Sequence, residues 1–192
     1  MKNFALILAR SGSKSIMDKN IYPINGLPLI GYCLQVIDCC PFLDDVWVST
    51  DDQRIADVSQ SISSRVKIHF RSKSSSDDKC SSIDSIKDFL RSTKGNIYAK
   101  IKTYNWNTIF DLQFCFFFSE FGVIYLVQCT SPCLKINYLK EAFDLINCGL
   151  WDSVFSVTKS HHLRWLINSN QSVSPINFNP KQRPRRQDWP GN

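Results

Sequence analysis

The chain lacks most of the patterns that assign a chemistry at a glance. Its eight cysteines, at 33, 39, 40, 80, 115, 129, 133 and 148, show no Cys-x-x-Cys spacing and no nearby histidine pairing, which argues against a zinc framework. No apolar run reaches the roughly 18–20 residues that span a bilayer, so no membrane partner is expected. The nearest approach, 114–127, is broken by Ser119, Glu120 and Gly122. Met1-Lys2-Asn3 leads directly into an apolar run too short for a secretory h-region. The cysteines therefore read as reduced thiols of a nuclear or cytoplasmic protein. Neither the P-loop spacing Gly-x-x-x-x-Gly-Lys-Ser/Thr nor the dinucleotide fingerprint Gly-x-Gly-x-x-Gly occurs.

What is present is an ordinary globular composition with a basic surplus. The 192 residues are 43% hydrophobic and 21% charged, enough for one α/β domain or slightly more. Lysine and arginine exceed acidic residues by 23 − 17 = 6, and Lys181, Arg183, Arg185 and Arg186 crowd within six positions. Such a cluster suits an anionic substrate, a nuclear address or nucleic acid. Nucleic acid comes last, because no groove-reading motif accompanies it.

Strand and helix periodicities alternate along the chain. Strands are expected over Phe4–Ala9, Asp45–Thr50, Arg65–Phe70, Val123–Gln128 and Ser153–Val157. Helices are expected over Leu29–Val36, Gln53–Ser61, from Ser81-Ser82-Ile83-Asp84 to Arg91, and over Lys135–Asn147. That alternation predicts a mostly parallel, doubly wound α/β sheet of the Rossmann-like kind, with ligands beyond the carboxyl ends of its strands. The pattern dissolves over 95–122, which contains the run Phe116-Phe117-Phe118. A structureless loop of that length is uncommon in a compact domain.

The loop after the first strand, Arg10-Ser-Gly-Ser-Lys14, followed by Lys19-Asn20, is the densest chemical signal. Backbone N–H groups in a Gly/Ser loop can converge on an anion, and Arg10, Lys14 and Lys19 add charge. A solvated basic loop is the competing reading. Asp51, Arg71 and Gln128 also fall at expected strand ends, which favours a shared site. Asp51 and Asp52 suit either helix capping or metal ligation.

Taken together, the segments ALILARSGSKSIMDKNI, GLPLIGYCLQ, VWVSTDDQRIADV, SSIDSIKDFL, VQCTSPCL, DSVFSVTKSHHLRW and PRRQDW resemble the N-acylneuraminate cytidylyltransferases, particularly the animal enzymes. The resemblance covers 4–94 and 123–189. It implies a single cytidylyltransferase domain of the sugar nucleotidyltransferase type across 1–192, activating N-acylneuraminate (sialic acid) with CTP to give CMP-N-acylneuraminate and pyrophosphate. It also implies Mg²⁺ as cofactor and a homo-oligomer in the family; the cluster Lys181–Arg186 separately points to a nuclear location, with the cytoplasm as the alternative. By the same resemblance, Arg10, Lys14, Lys19 and Asn20 hold the nucleotide, Arg71, Cys80 and Ser82 line its pocket, Gln128 stands on the sugar side, and Arg185 is catalytic. The related 3-deoxy-manno-octulosonate cytidylyltransferases share the first loop but match the later segments less well.

Four departures from the family pattern carry expectations of their own. Ser11 and Ser15 replace glycines, at a cost of about 1 kcal/mol each if those positions need positive φ. Cys80 replaces a serine with a weaker hydrogen-bonding group. The segment 95–122 is an insertion where the family has a short connection. The family's Asp-x-Asp metal ligands and subunit-exchange segment follow the PRRQDW motif, so no metal ligand is assigned within 1–192. A catalytically inactive form that binds CTP or modulates a full-length subunit is the alternative that this departure raises.

Overall fold

The computed structural model describes residues 2–72, 80–93, 114–119 (backbone), 122–157 and 162–182. The chain forms two compact units, Met1–Ser156 and Val157–Asn192. The first is built on a six-stranded sheet of order β5-β4-β1-β7-β6-β8. β1 (Lys2–Leu8) lies between β4 (Asp45–Thr50) and β7 (Gly122–Val127), parallel to both, and β5 (Val66–Phe70) adds to β4, also in parallel. Five consecutive buried residues, Asn3–Ile7, reflect a strand covered on both faces, as parallel sheets require.

Side-chain alternation sends the strands into two cores. Ala5, Ile7, Val123, Tyr125 and Val127 face α1 (Leu29–Asp38), α2 (Gln53–Ile62) and α4 (Ile136–Asn147), where Ile30, Leu34, Ile37, Ile55, Leu139 and Ile146 are buried with them. Leu6, Ile124 and Leu126 face the other way, onto Ile86 and Phe89 of α3 (Ser82–Ser92). The doubly wound architecture read from the sequence is thus present.

Local signals explain the element ends. Asn25 and Gly26 both have positive φ (49° and 82°) and join β2 (Pro23–Ile24) to β3 (Leu27–Pro28) as a two-residue hairpin turn. Asp52 caps α2, its carboxylate accepting from Arg54 N at 2.8 Å. Ser81 and Asp84 close a reciprocal capping box at the start of α3. The guanidinium of Arg65 donates to the carbonyls of Ile37, Asp38 and Leu43, taking up acceptors left open where α1 ends.

Part of the patternless stretch is sheet. β6 (Phe114–Ser119) runs antiparallel between β7 and β8 (Ser153–Phe155), with Phe114 opposite Val127 and Ser119 opposite Gly122. An aromatic-rich run suits a strand, and the loop expected there is replaced at its end by a hairpin partner of β7. Residues 94–113, which include most of the expected insertion, lie outside the described residues.

The unit Val157–Asn192 contains the hairpin β9 (Trp165–Ile167) and β10 (Val173–Pro175), with the Trp165 ring edge-on to Phe178 at 5.1 Å. Among the described residues, no helix is long and apolar enough to cross a membrane.

Candidate functional site

The order of the sheet reverses at β1. The chain runs from β1 outward through β4 to β5, then returns to the other side of β1 with β7. Open α/β sheets hold ligands at such a switch point, beyond the carboxyl ends of the strands. A cavity of about 200 Å³ opens there, lined by Leu8 and Arg10 after β1, Arg71 after β5, Gln128 and Cys129 after β7, and Cys80, Ser82 and Ser85 at the start of α3. Ser13, Lys19, Asn20 and Thr130 complete the lining.

The loop between β1 and β2 is held by contacts to three parts of the fold. The Asp51 carboxylate accepts from Ser11 N at 2.7 Å and from Ser11 Oγ at 2.8 Å. Arg54 on α2 makes a two-bond pair with Asp18, at 2.8 and 2.9 Å, and also bonds Asp52. Those bonds hold the Asp52 carboxyl below its ordinary value. Asn20, buried beneath the loop, donates through Nδ2 to the Arg10 carbonyl at 2.8 Å and accepts at Oδ1 from Cys129 Sγ at 3.1 Å. Burial pushes the Cys129 thiol up to about 11, against the pull of Lys19 and Arg71, so it stays protonated and serves as donor.

These bonds revise the strain expected at two serines. Within the loop the left-handed positions are Gly12 (φ 68°) and Asp18 (φ 50°); Ser11 and Ser15 do not have positive φ. Ser11 therefore adds a hydrogen bond that a glycine would lack. The two aspartates whose roles stood open are now distinguished: Asp51 holds the loop and Asp52 caps the helix.

Arg71 joins the sheet to α3. Its backbone N–H donates to Thr50 O at 2.8 Å, its Nε to Ser49 Oγ at 3.0 Å and its Nη1 to Ser85 Oγ at 3.4 Å. Nη2 is buried and has no hydrogen-bond partner among the described residues. Burial lowers the Arg71 pKa from its ordinary value, with Asp51 opposing that shift. An arginine stays protonated under such a shift, so Arg71 brings a full positive charge to the cavity wall. The N-terminal end of α3 adds its own positive electrostatic field to the same wall.

Of the residues singled out from sequence, the structure brings Arg10, Lys19, Asn20, Arg71, Cys80, Ser82 and Gln128 into one cavity. Lys14 is exposed on the loop and does not line it, whereas its neighbour Ser13 does. Arg185 lies outside the described residues. Sequence reasoning missed Ser49, His69, Ser85 and Cys129. The alternation of Asp45–Thr50 carries a usable signal for Ser49, since it shares a face with Trp47. Ser85 lies three residues after Ser82, on the same side of a helix.

The cavity lining includes no carboxylate. Among the described residues, no group of three His, Cys, Asp or Glu could hold a metal ion. A carboxylate ligand for Mg²⁺ is therefore not found among the described residues of the cavity wall. The roles derived below accordingly belong to the chain's own cations, amides and hydroxyls.

A doubly wound sheet with a cation-lined cavity at its switch point defines an α/β protein with a site suited to an anionic ligand. The cytidylyltransferase family model matches residues 4–105, and the chain belongs to that family. It is 40% identical over 190 residues to N-acylneuraminate cytidylyltransferase A of Danio rerio, which covers 97% of this chain and 38% of that protein. The N-acylneuraminate cytidylyltransferase of Oncorhynchus mykiss gives the same identity and coverage. A pseudaminic acid cytidylyltransferase of Campylobacter jejuni is 29% identical over 176 residues, 90% of this chain and 66% of that protein. The chain thus spans less than two-fifths of the length of the animal relatives it matches.

Among solved structures, a CMP:2-keto-3-deoxy-manno-octonic acid synthetase complexed with CTP superposes with a TM-score of 0.54 at 17% identity, over 77% of this chain and 48% of that one. A 4-diphosphocytidyl-2C-methyl-D-erythritol synthase from Anaerococcus prevotii gives 0.55 at 12% identity, over 97% and 65%. Both share the fold.

Proposed function

We propose that the cavity binds CTP and that the chain contributes the nucleotide site of an enzyme activating N-acylneuraminate. The reaction is attack by the sugar's anomeric hydroxyl on the α-phosphorus of CTP. An oxygen–phosphorus bond forms to the sugar, the bond to the β-phosphate oxygen breaks, and pyrophosphate leaves. The observation that carries this reading is the convergence of Arg10, Lys19 and Arg71 with the α3 N-terminus around one cavity at the switch point. The 40% identity to animal proteins named for this activity supports the choice of sugar.

Each group has a task in that chemistry. Arg10 and Lys19 neutralise phosphate oxygens, and fixed cations stabilise the charge that grows on the departing pyrophosphate without reorganising. Arg71 offers its charge, and the α3 terminus the Ser82 hydroxyl, to acceptors on the nucleotide. Gln128, which lines the cavity just after β7, is the residue we assign to the sugar side. Asn20 has one amide hydrogen and its oxygen committed to the loop and Cys129, so it acts chiefly by holding Arg10 in place.

Calorimetric titration with CTP tests the site. Arg10→Ala is expected to weaken binding roughly 10- to 100-fold, the loss of a charge-assisted contact. Unchanged affinity would show that the cavity is not the CTP site. Pyrophosphate release with CTP, N-acylneuraminate and Mg²⁺ together then tests turnover.

A further inference from the structure

We propose that Ser49 and His69 are positioning residues for Arg71, forming a buried relay that orients its guanidinium in the wall of the cavity. The proposal rests on the reading of the cavity as a CTP site. Both residues lie on the α3 face of the sheet, Ser49 fully buried on β4 and His69 only 5% exposed on the adjacent β5. They are register partners, and Ser49 Oγ stands 3.0 Å from His69 Nδ1.

The donor inventory fixes the direction of the first step of this chain. Arginine only donates, so at 3.0 Å Ser49 Oγ accepts from Arg71 Nε. In the proposed relay the Ser49 hydroxyl donates to His69 Nδ1, the neutral tautomer with its proton on a buried Nε2 that has no partner among the described residues; a ring protonated on Nδ1 would instead donate to Ser49 Oγ. Burial favours the neutral ring, as does the nearby charge of Arg71, with Asp88 on α3 opposing. Phe89 of α3 packs edge-on against the His69 ring at 5.4 Å, limiting its rotation.

On its other side Arg71 donates to Ser85, whose hydroxyl in turn donates to Ser81 O at 3.3 Å. One guanidinium is thereby pinned between a sheet serine and a helix serine. The acceptor that fixes Ser49 is the histidine. Neither Ser49 nor His69 lines the cavity, so any effect they have on a ligand passes through Arg71.

The test is a double-mutant cycle on the full 192-residue chain, with CTP affinity measured by calorimetry and folding by thermal midpoint. Ser49→Ala is expected to weaken CTP binding about tenfold. Arg71→Ala weakens it at least as much, and the double variant binds no worse than Arg71→Ala alone. Additive losses, or wild-type affinity in Ser49→Ala, would overturn the proposal.

A second pair serves if Ser49→Ala fails to fold. His69→Phe keeps a ring against Phe89 but removes the acceptor, and is expected to weaken CTP binding about three- to tenfold. His69→Asn, which restores an acceptor oxygen near Nδ1, recovers most of that loss. Equal affinities for His69→Phe and the wild type would sink the relay. If Arg10→Ala and Arg71→Ala both leave CTP binding intact, the cavity assignment itself has failed. If they weaken it while the Ser49 and His69 variants do not, only the relay has failed.

Discussion

Ser11 shows how a residue that looks wrong by family pattern becomes a support. Its φ is not left-handed, and its N–H and hydroxyl both reach Asp51. Ser11→Gly removes one of those bonds and adds chain entropy to the unfolded state, so it is expected to destabilise by about 1–2 kcal/mol. Chemical denaturation checks the sign, since relief of strain predicts the opposite. His69 supplies a second test at this scale. Its folded pKa lies below the ordinary imidazole value because it is buried, with Asp88 raising it and Arg71 lowering it. The unfolded chain then binds the proton first as pH falls, so stability from this group is full above about pH 6.5 and is lost as pH drops through the folded value. The thermal midpoint should therefore fall between pH 6.5 and 5 more steeply in the wild type than in His69→Phe. The charged members of the site were legible in sequence, because an Arg or Lys after an apolar run marks itself. Ser49 and Ser85 were legible only as far as the face each shares with Trp47 or Ser82, and His69 not at all: a small hydroxyl or a single histidine acquires its role from the neighbours that the sheet register and a helix bring to it.

Among the elements, α3 carries the most function for its length. It shields one face of β1 and β7 through Ile86 and Phe89, and its first turns carry Ser82 and Ser85 into the cavity. Phe89 is fully buried and touches the rings of both Trp47 and His69. Phe89→Ala is expected to cost about 3–5 kcal/mol, and to weaken CTP binding in the variant that still folds, because the helix that carries one wall has lost its anchor. Unfolding midpoints and calorimetry on the same sample separate the two effects. Most elements could be read from periodicity and capping residues, with ends that differ by one or two positions. β6 could not. A Phe-rich run has no alternation, and its place between β7 and β8 depends on long-range pairing that local pattern does not encode.

For the whole molecule, every residue lining the cavity belongs to the unit Met1–Ser156. A chain ending after Ser156 is therefore expected to bind CTP within about threefold of the 192-residue chain, a difference of about 0.7 kcal/mol. Loss of binding on that cut would assign part of the nucleotide site to Val157–Asn192. The fold class was legible as a whole because alternating strand and helix signals leave few topologies open. The location of the cavity follows from strand order rather than from any single motif.

Gly122 lies at the end of the sheet remote from the cavity, paired with Lys2. A Cβ there would collide with the Lys2 carbonyl oxygen and stand 2.8 Å from a Phe4 ring carbon. The two backbones meet at this notch as a machinist's stop meets a workpiece: it sets where β7 begins against β1. Six residues on, at roughly 3.3 Å each, the strands deliver Leu8 and Gln128 to the cavity about 20 Å away. A side chain at position 122 would shift one strand along the other, and the error would emerge undiminished at the opposite end. The shape of the cavity is thus gauged in part by a residue at the opposite end of the sheet.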